Sequence, residues 1–356
     1  MISSPGSRHI YPNMDILRYA LAFAVVIAHV DYLTGYHIPF PISSYEGVGG
    51  FFALSGFLMY PSFMKHRKSG KYIKSRAKRL LPQYLAIVFL CAFGFFFISS
   101  FTASQYFSSG SFWKYLIANV CFLNWIEPDL PGVFDGTQFA SNAVNGSLWS
   151  MKVEWCLYFS VPIFVWILSK IRIKATTMAV AIIIFSICYR LVFQHICINT
   201  ENEIYNILGR QIFGQFSYFY CGMLIYFFLD WFKRHLTIIL ISSSLCLLIP
   251  VNNLYYETIA SPLYLSAFVM AVSLWPKDIS CLRHNNNISY NIYLYHWPVI
   301  QLCVWSGIAK QGAFATFSAA IILTVVLSIV IEILLKHLTV SRQKAADVNP
   351  PDDITN

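Results

Sequence analysis

Ten apolar runs recur along the chain, at about 16–33, 47–64, 80–99, 147–168, 176–196, 211–231, 236–250, 259–275, 288–308 and 313–335. Most approach the ~20 residues that cross a bilayer as a helix. A chain built this way cannot close into one water-facing globule. In lipid every backbone polar group must be satisfied internally, which favours helices. Composition agrees: of 356 residues 57% are hydrophobic and 12% charged, and the charged share is roughly half that of a soluble domain. The expected fold is all-α, a polytopic membrane helix bundle of about ten transmembrane helices, forming one transmembrane domain over 1–340. The polar, Pro-containing stretch 341–356 reads as a disordered cytoplasmic tail. No internal repeat or second domain is visible.

Loop charge sets the expected orientation. The segment 65–79, KHRKSGKYIKSRAKR, is strongly basic, and Lys170, Arg172, Lys174, Lys233, Arg234, Lys277, Arg283, Lys336, Arg342 and Lys344 lie in loops of the same parity. Of the alternate loops, 31–46 and 252–258 carry no Lys or Arg, and 101–146 carries only Lys114. Basic loops stay in the cytoplasm, so both termini are expected there. The formal charge of +9 sits mostly in these juxtamembrane loops, where it meets anionic lipid rather than nucleic acid. The external segment 101–146, rich in Ser, Asn, Gly and Pro, is long for a connection and is expected to form a lid or substrate-side element. Within it, 112–125 is apolar but short, as an interfacial or re-entrant segment would be.

Nine cysteines are scattered without any metal-ligand spacing, most of them inside apolar runs where Cys acts as a small hydrophobe. Neither disulfides nor a metal site are expected. No cleavable signal core precedes the first span, so that span is expected to be retained.

Ionisable residues inside apolar runs are functional candidates, because hydrocarbon solvates charge poorly. The first run, DILRYALAFAVVIAH, carries Asp15, Arg18 and His29. Asp15 and Arg18 are spaced to pair. Arg18 and His29 are eleven positions apart, about 20° apart on one helical face and roughly 16 Å along it. The second run, GVGGFFALSGFLMY, gathers small residues around Ser55, suited either to close helix packing or to leaving room for a ligand. Arg76 and Arg79 share a helical face where the basic loop enters the third run, and can clamp phosphate as well as set topology. In NGSLWSMKVEWCLY, Ser147 can cap a helix that carries Glu154 roughly 10 Å inward. Glu154 and His29 thus reach a similar depth from different helices, and a carboxylate beside a histidine is the usual arrangement of a general base. In SYNIYLYHWPV, Tyr293 and His296 share a face and Pro298 frees a carbonyl.

Taken in order, Arg18 with ten residues before His29, then FFALSGF, RAKRLLPQY, SLWSMKVEWCLY and SYNIYLYHWPV resemble the membrane acyltransferase-3 family of bacterial O-acyltransferases. The resemblance implies transfer of an acyl group, often acetyl from acetyl-CoA as co-substrate, to a hydroxyl of a surface or lipid-linked carbohydrate. It implies that Arg76 and Arg79, with Lys78, hold the CoA phosphates, that Arg18 helps to hold the donor, and that His29 is the base or acyl carrier oriented by Glu154. Asp15, Ser55, Trp149, Tyr293 and His296 are then expected along the path or at the acceptor. The implied partners are acyl-CoA, a glycan acceptor and membrane lipids, and the implied location is the bacterial cytoplasmic (inner) membrane. No soluble hydrolase-like domain is expected after the last span, unlike larger members. The competing reading is a transporter or flippase for a glycan or small anion, which also uses intramembrane His, Glu and Arg.

Overall fold

The computed structural model describes residues 11, 13–38, 40, 42–135, 142–249, 253–277 and 287–348. Among these the regular structure is helical, with no strand. The α-helices are α1 (Met14–Thr34), α2 (Ser44–His66), α3 (Ser69–Gly94), α4 (Ala103–Ser108), α5 (Gly110–Val120), α6 (Trp149–Lys170), α7 (Ala175–Thr200) and α8 (Glu203–Gly209), followed by α9 (Ile212–Phe227), α10 (Leu229–Arg234), α11 (Leu236–Leu248), α12 (Leu254–Ser273), α13 (Ile288–Trp305) and α14 (Ala313–Val348). A helix lies within each of the ten apolar runs. Six helical segments are long and apolar enough to cross a membrane: Met14–Thr34, Ser44–His66, Ser69–Ile98, Gly146–Lys170, Ala175–Thr200 and Ala313–Leu338. The other four differ for physical reasons. The 16 residues of α9 and 13 of α11 reach only about 24 and 20 Å, short of a ~30 Å hydrocarbon core. In α12 and α13, Tyr, Ser, Asn, His and Gln side chains interrupt the apolar sequence.

The chain divides into two units. The first comprises Met1–Ala28, His37–Arg76 and Leu148–His284. Its start on α2 is a capping box: the Glu46 N–H donates to Ser43 Oγ (3.2 Å) and the Ser43 N–H returns to Glu46 Oε2 (2.9 Å), which satisfies two orphan donors of the first turn. The helix stops where Arg67 turns left-handed (φ 48°) and donates its N–H to the Phe63 carbonyl. Small residues decide how this unit packs. A Cβ on Gly56 would stand 1.7 Å from the Phe219 carbonyl oxygen, and one on Gly222 would stand 1.9 Å from that of Ala53. Gly47, Gly49 and Gly50 are pressed likewise by Val25, Tyr218 and Leu21. Close helix packing therefore accounts for these glycines, with α2 and α9 in backbone contact.

The second unit comprises His29–Tyr36, Ala77–Ser147 and Asn285–Asn356. The helices α13 and α14 pack together, and α3 buries Tyr84, Ile87 and Val88. The Tyr84 hydroxyl donates to the Asn119 carbonyl (2.6 Å) and Tyr106 to that of Ala92 (2.9 Å). The segment 101–146 is folded back on its own unit: Ser99 Oγ donates to the Pro131 carbonyl (2.7 Å), the Ser100 N–H to Gly132 (2.9 Å) and the Val144 N–H to Pro128 (2.9 Å). Its residues 136–141 lie outside the described residues. At the other end α14 runs on to Val348, so 341–348 of the expected tail are helical. That stretch holds Arg342, Gln343, Lys344, Ala345 and Ala346, good helix formers. Residues 349–356 lie outside the described residues.

Candidate active site

Pro298 creates the opening around which the second unit is arranged. Inside α13 it has no N–H to give to the carbonyl four residues back, at Leu294. That carbonyl accepts instead from Asn145 Nδ2 at 2.9 Å. Asn145 Oδ1 in turn accepts from the Ser147 hydroxyl (2.7 Å) and the Ser147 N–H (3.2 Å). The Tyr293 hydroxyl returns to the Ser147 carbonyl (3.2 Å). Two further donors of α13, Trp297 Nε1 (3.0 Å) and Gln301 Nε2 (3.1 Å), share the Ala143 carbonyl. Gly146 is required between them, since a Cβ there would stand 2.5 Å from the Trp297 ring. The motifs NGS and YHWP, remote in sequence, are thus locked together by hydrogen bonds.

Asn145→Ala is expected to leave the Leu294 carbonyl buried without a donor, at a cost of about 1–3 kcal/mol. Asn145→Asp should not restore the loss, because a carboxylate only accepts. Thermal unfolding in detergent measures this, and a wild-type midpoint for Asn145→Ala would refute it.

The lock holds His296 one residue from the Trp297 ring, and His296 meets His29. Nδ1 of His29 lies 2.7 Å from Nε2 of His296. The rings are parallel within 3°, with centroids 5.0 Å apart. That separation exceeds the nitrogen distance by about one ring radius at each end, so the rings meet edge to edge in a common plane. Trp297 closes on His29 edge-on at 4.8 Å, and Tyr293 lies 5.8 Å from His296. His296 is fully buried, whereas His29 is partly accessible.

The hydrogen-bond network assigns the tautomers. His296 Nδ1 faces the Ile292 carbonyl at 3.3 Å, which can only accept, so Nδ1 carries the hydrogen. His296 Nε2 is then a lone pair, and the hydrogen between the rings belongs to His29 Nδ1. This leaves His29 Nε2 as a lone pair, the form in which an imidazole takes a proton or attacks a carbonyl carbon.

The other candidates fall as follows. Arg18 Nη1 donates to Asp15 Oδ1 at 2.9 Å, forming the expected i,i+3 ion pair on α1. Arg76 is turned toward α2: Nη1 lies 3.7 Å from Met59 Sδ and Nη2 3.4 Å from Ser62 Oγ, while Nε is buried without a hydrogen-bond partner among the described residues. Lys78 and Arg79 are exposed. Ser55 is partly exposed on α2, and Trp149 is partly exposed at the first position of α6. Glu154 belongs to the first unit, where its carboxylate accepts from the Tyr158 hydroxyl one turn on. Within the second unit His29 meets His296. Sequence spacing did not join them because 267 positions separate the two. The available signal was an ionisable side chain in each of two apolar runs, one of them two residues before a helix-interior Pro.

Long apolar helices and an imidazole pair beside a helix-interior proline define a multi-pass membrane protein equipped for acid–base or nucleophilic chemistry. Residues 11–333 match the acyltransferase domain family, and the chain belongs to this family of acyltransferases. Two relatives are similar to the chain. An O-acetyl transferase of Shigella phage Sf6 is 26% identical over 149 residues, which cover 40% of this chain and 43% of that protein. The chain thus spans under half the length of that relative. Nodulation protein 10 of Rhizobium leguminosarum bv. viciae is 22% identical over 329 residues, covering 85% of this chain and 86% of the relative. No solved structure matches the chain.

Proposed function

We propose that the protein is an O-acyltransferase of the bacterial cytoplasmic membrane. It moves an acyl group, most simply acetyl from acetyl-CoA, onto a hydroxyl of a surface or lipid-linked carbohydrate. The observation that carries this reading is the polarity of the imidazole pair. With His296 Nδ1 given to the Ile292 carbonyl, the 2.7 Å contact takes the His29 Nδ1–H as donor to buried His296 and leaves His29 Nε2 as a lone pair. A proton taken at Nε2 makes His29 cationic, and the His296 lone pair stabilises that cation through the same hydrogen bond. The acceptor hydroxyl can then attack the thioester carbon directly. In the alternative sequence, Nε2 attacks first and passes the acyl group on. In both, the C–S bond breaks, an ester C–O bond forms, and the hydroxyl proton leaves with the CoA thiol.

The positive-inside pattern of the loops supports a donor entering from the cytoplasmic side, where both chain termini would lie. Lys78 and Arg79, exposed in the same unit as the imidazole pair, hold the CoA phosphates by charge-assisted hydrogen bonds. By resemblance to the family, Arg18 and Arg76 are assigned to the donor and Glu154, Asp15, Ser55, Trp149 and Tyr293 to acyl transfer. The segment 101–146 covers the acceptor side. Arg79→Ala is expected to raise the apparent KM for acetyl-CoA roughly tenfold with kcat little changed, measured as labelled acetyl transfer by the protein in nanodiscs. An unchanged KM would move the phosphate contact elsewhere. The function as a whole is tested by mass analysis of surface polysaccharides from cells with and without the protein. Loss of one acetyl mass on one sugar is expected, and identical spectra would refute the assignment.

A further inference from the structure

A polar cavity of about 120 Å³ opens in the first unit among Tyr45, Glu46, Arg190, Arg210 and Glu257. It lies at the start of α2. Lys65, where the basic segment begins, is nineteen residues beyond Glu46, roughly 28 Å along that helix. Topology does not explain two arginines at this end, since the neighbouring loops 31–46 and 252–258 carry no Lys or Arg.

Arg190 is only 9% exposed, and its Nη1 is buried with no hydrogen-bond partner among the described residues. A guanidinium stays charged, so a buried donor of this kind calls for an acceptor. Its stem is gripped: a Cβ on Gly214 would stand 1.8 Å from the Gly209 carbonyl oxygen and 2.9 Å from Arg190 Cγ. The Arg190 guanidinium lies 4.9 Å from the centre of the Tyr45 ring, and that of Arg210 lies 5.0 Å from the same ring.

Several acceptors nearby are already engaged, although Gln215 Oε1, beside Tyr45 and the Arg210 carbonyl, is buried without a partner among the described residues. Glu46 Oε1 accepts from the Tyr264 hydroxyl (2.8 Å), and Oε2 accepts from the Ser43 N–H and hydroxyl (2.9 Å each). The Tyr45 hydroxyl accepts from Gln215 Nε2 (3.0 Å), and Gln194 Oε1 accepts from Thr258 (2.8 Å). Glu257 is exposed. Among the described residues no ion pair joins either arginine to a carboxylate. Among the two arginines and two carboxylates of the lining, the unsatisfied buried group is the Arg190 Nη1 donor.

We infer that Arg190 and Arg210 together bind one oxyanion, a phosphate or a carboxylate borne by a carbohydrate or a lipid head group. A single phosphate or carboxylate suits a space that would otherwise hold about four waters, and it offers the planar oxygen pairs that guanidinium forks match. Glu257 at the rim favours low charge on the ligand. Oxyanion binding here does not depend on the acyl-transfer reading.

The test is equilibrium dialysis of the full chain in phosphatidylcholine nanodiscs against radiolabelled inorganic phosphate, with labelled acetate as the carboxylate probe. Saturable binding of at least one probe is expected. Arg210→Gln, a change at an exposed side chain, should weaken it at least roughly tenfold. Glu257→Gln should tighten it roughly threefold by removing a nearby negative charge, a gain that loss of structure would not produce. Absence of saturable binding of both probes to the wild type, or equal affinity in Arg210→Gln, overturns the site. The source of the anion is read by competition. Displacement of phosphate when phosphatidylglycerol is added to the nanodisc identifies a lipid head group, and displacement by glucose 1-phosphate identifies a soluble sugar phosphate.

Discussion

His29→Gln is expected to reduce acyl transfer by about 10²–10⁴-fold, the range for loss of a positioned general base, and by more if the imidazole also carries the acyl group. The side chain of Gln has no group that titrates near neutral pH, so neither role survives. The measurement is transfer of labelled acetyl from acetyl-CoA by the protein in nanodiscs, with monodispersity as the check on folding. A folded His29→Gln protein at wild-type rate would end the proposed chemistry. His296 is a positioning residue in this scheme, because it acts through His29. His296→Leu removes the acceptor for the Nδ1–H and leaves that donor facing hydrocarbon. It should lower kcat by roughly 10–100-fold with KM for acetyl-CoA nearly unchanged. His296→Gln places a carbonyl oxygen where a 2.7 Å acceptor now stands, and should recover part of the loss. Equal deficits in the Leu and Gln variants would assign His296 a packing role only.

Gly56→Ala should damage the fold more than any surface change. The added Cβ would sit 1.7 Å from the Phe219 carbonyl oxygen, which is backbone and cannot rotate away as a side chain can. Ordinary overpacking costs about 1–3 kcal/mol. Here α2 and α9 must part along their line of closest approach, and the neighbouring contacts of Gly49 with Tyr218 open with it. Gly222→Ala probes the same crossing from the other helix, at 1.9 Å from the Ala53 carbonyl oxygen. Both variants should accumulate poorly and elute as aggregates on size exclusion in detergent. Gly70→Ala is the control, since nothing lies within 4 Å of its added methyl and Ala favours a helix over Gly by up to ~1 kcal/mol. A normal elution profile for Gly56→Ala would show that the helices part at little cost.

Much of the molecule was legible without coordinates, for reasons that can be named residue by residue. Apolar runs announced helices because a backbone in lipid has few other ways to satisfy itself. Arg18 and Asp15 could be paired on paper because three positions on a helix bring side chains together. The motifs carried the family, which the match over residues 11–333 bears out. Legibility failed where partners are distant in sequence. Counting residues gives depth along a helix but not its rotation or tilt, and these put His296 at the Nδ1 of His29. The small residues of α2 favoured packing over a ligand space from spacing alone, and the contact of Gly56 with Phe219 agrees.

The sequence by itself determined the helical class, the membrane setting, the acyltransferase family and the residue types able to do its chemistry. All of these follow from local periodicity, hydrophobicity and short motifs. The tertiary structure alone decided which of those residues touch. Asn145 finds the carbonyl that Pro298 leaves bare, Trp297 and Gln301 hold the 142–147 segment, and His29 receives a neutral imidazole for a partner. Arg190 and Arg210 converge on Tyr45. Each is a contact between segments far apart in the chain, set by how helices rotate and pack against one another, which no one-dimensional spacing encodes.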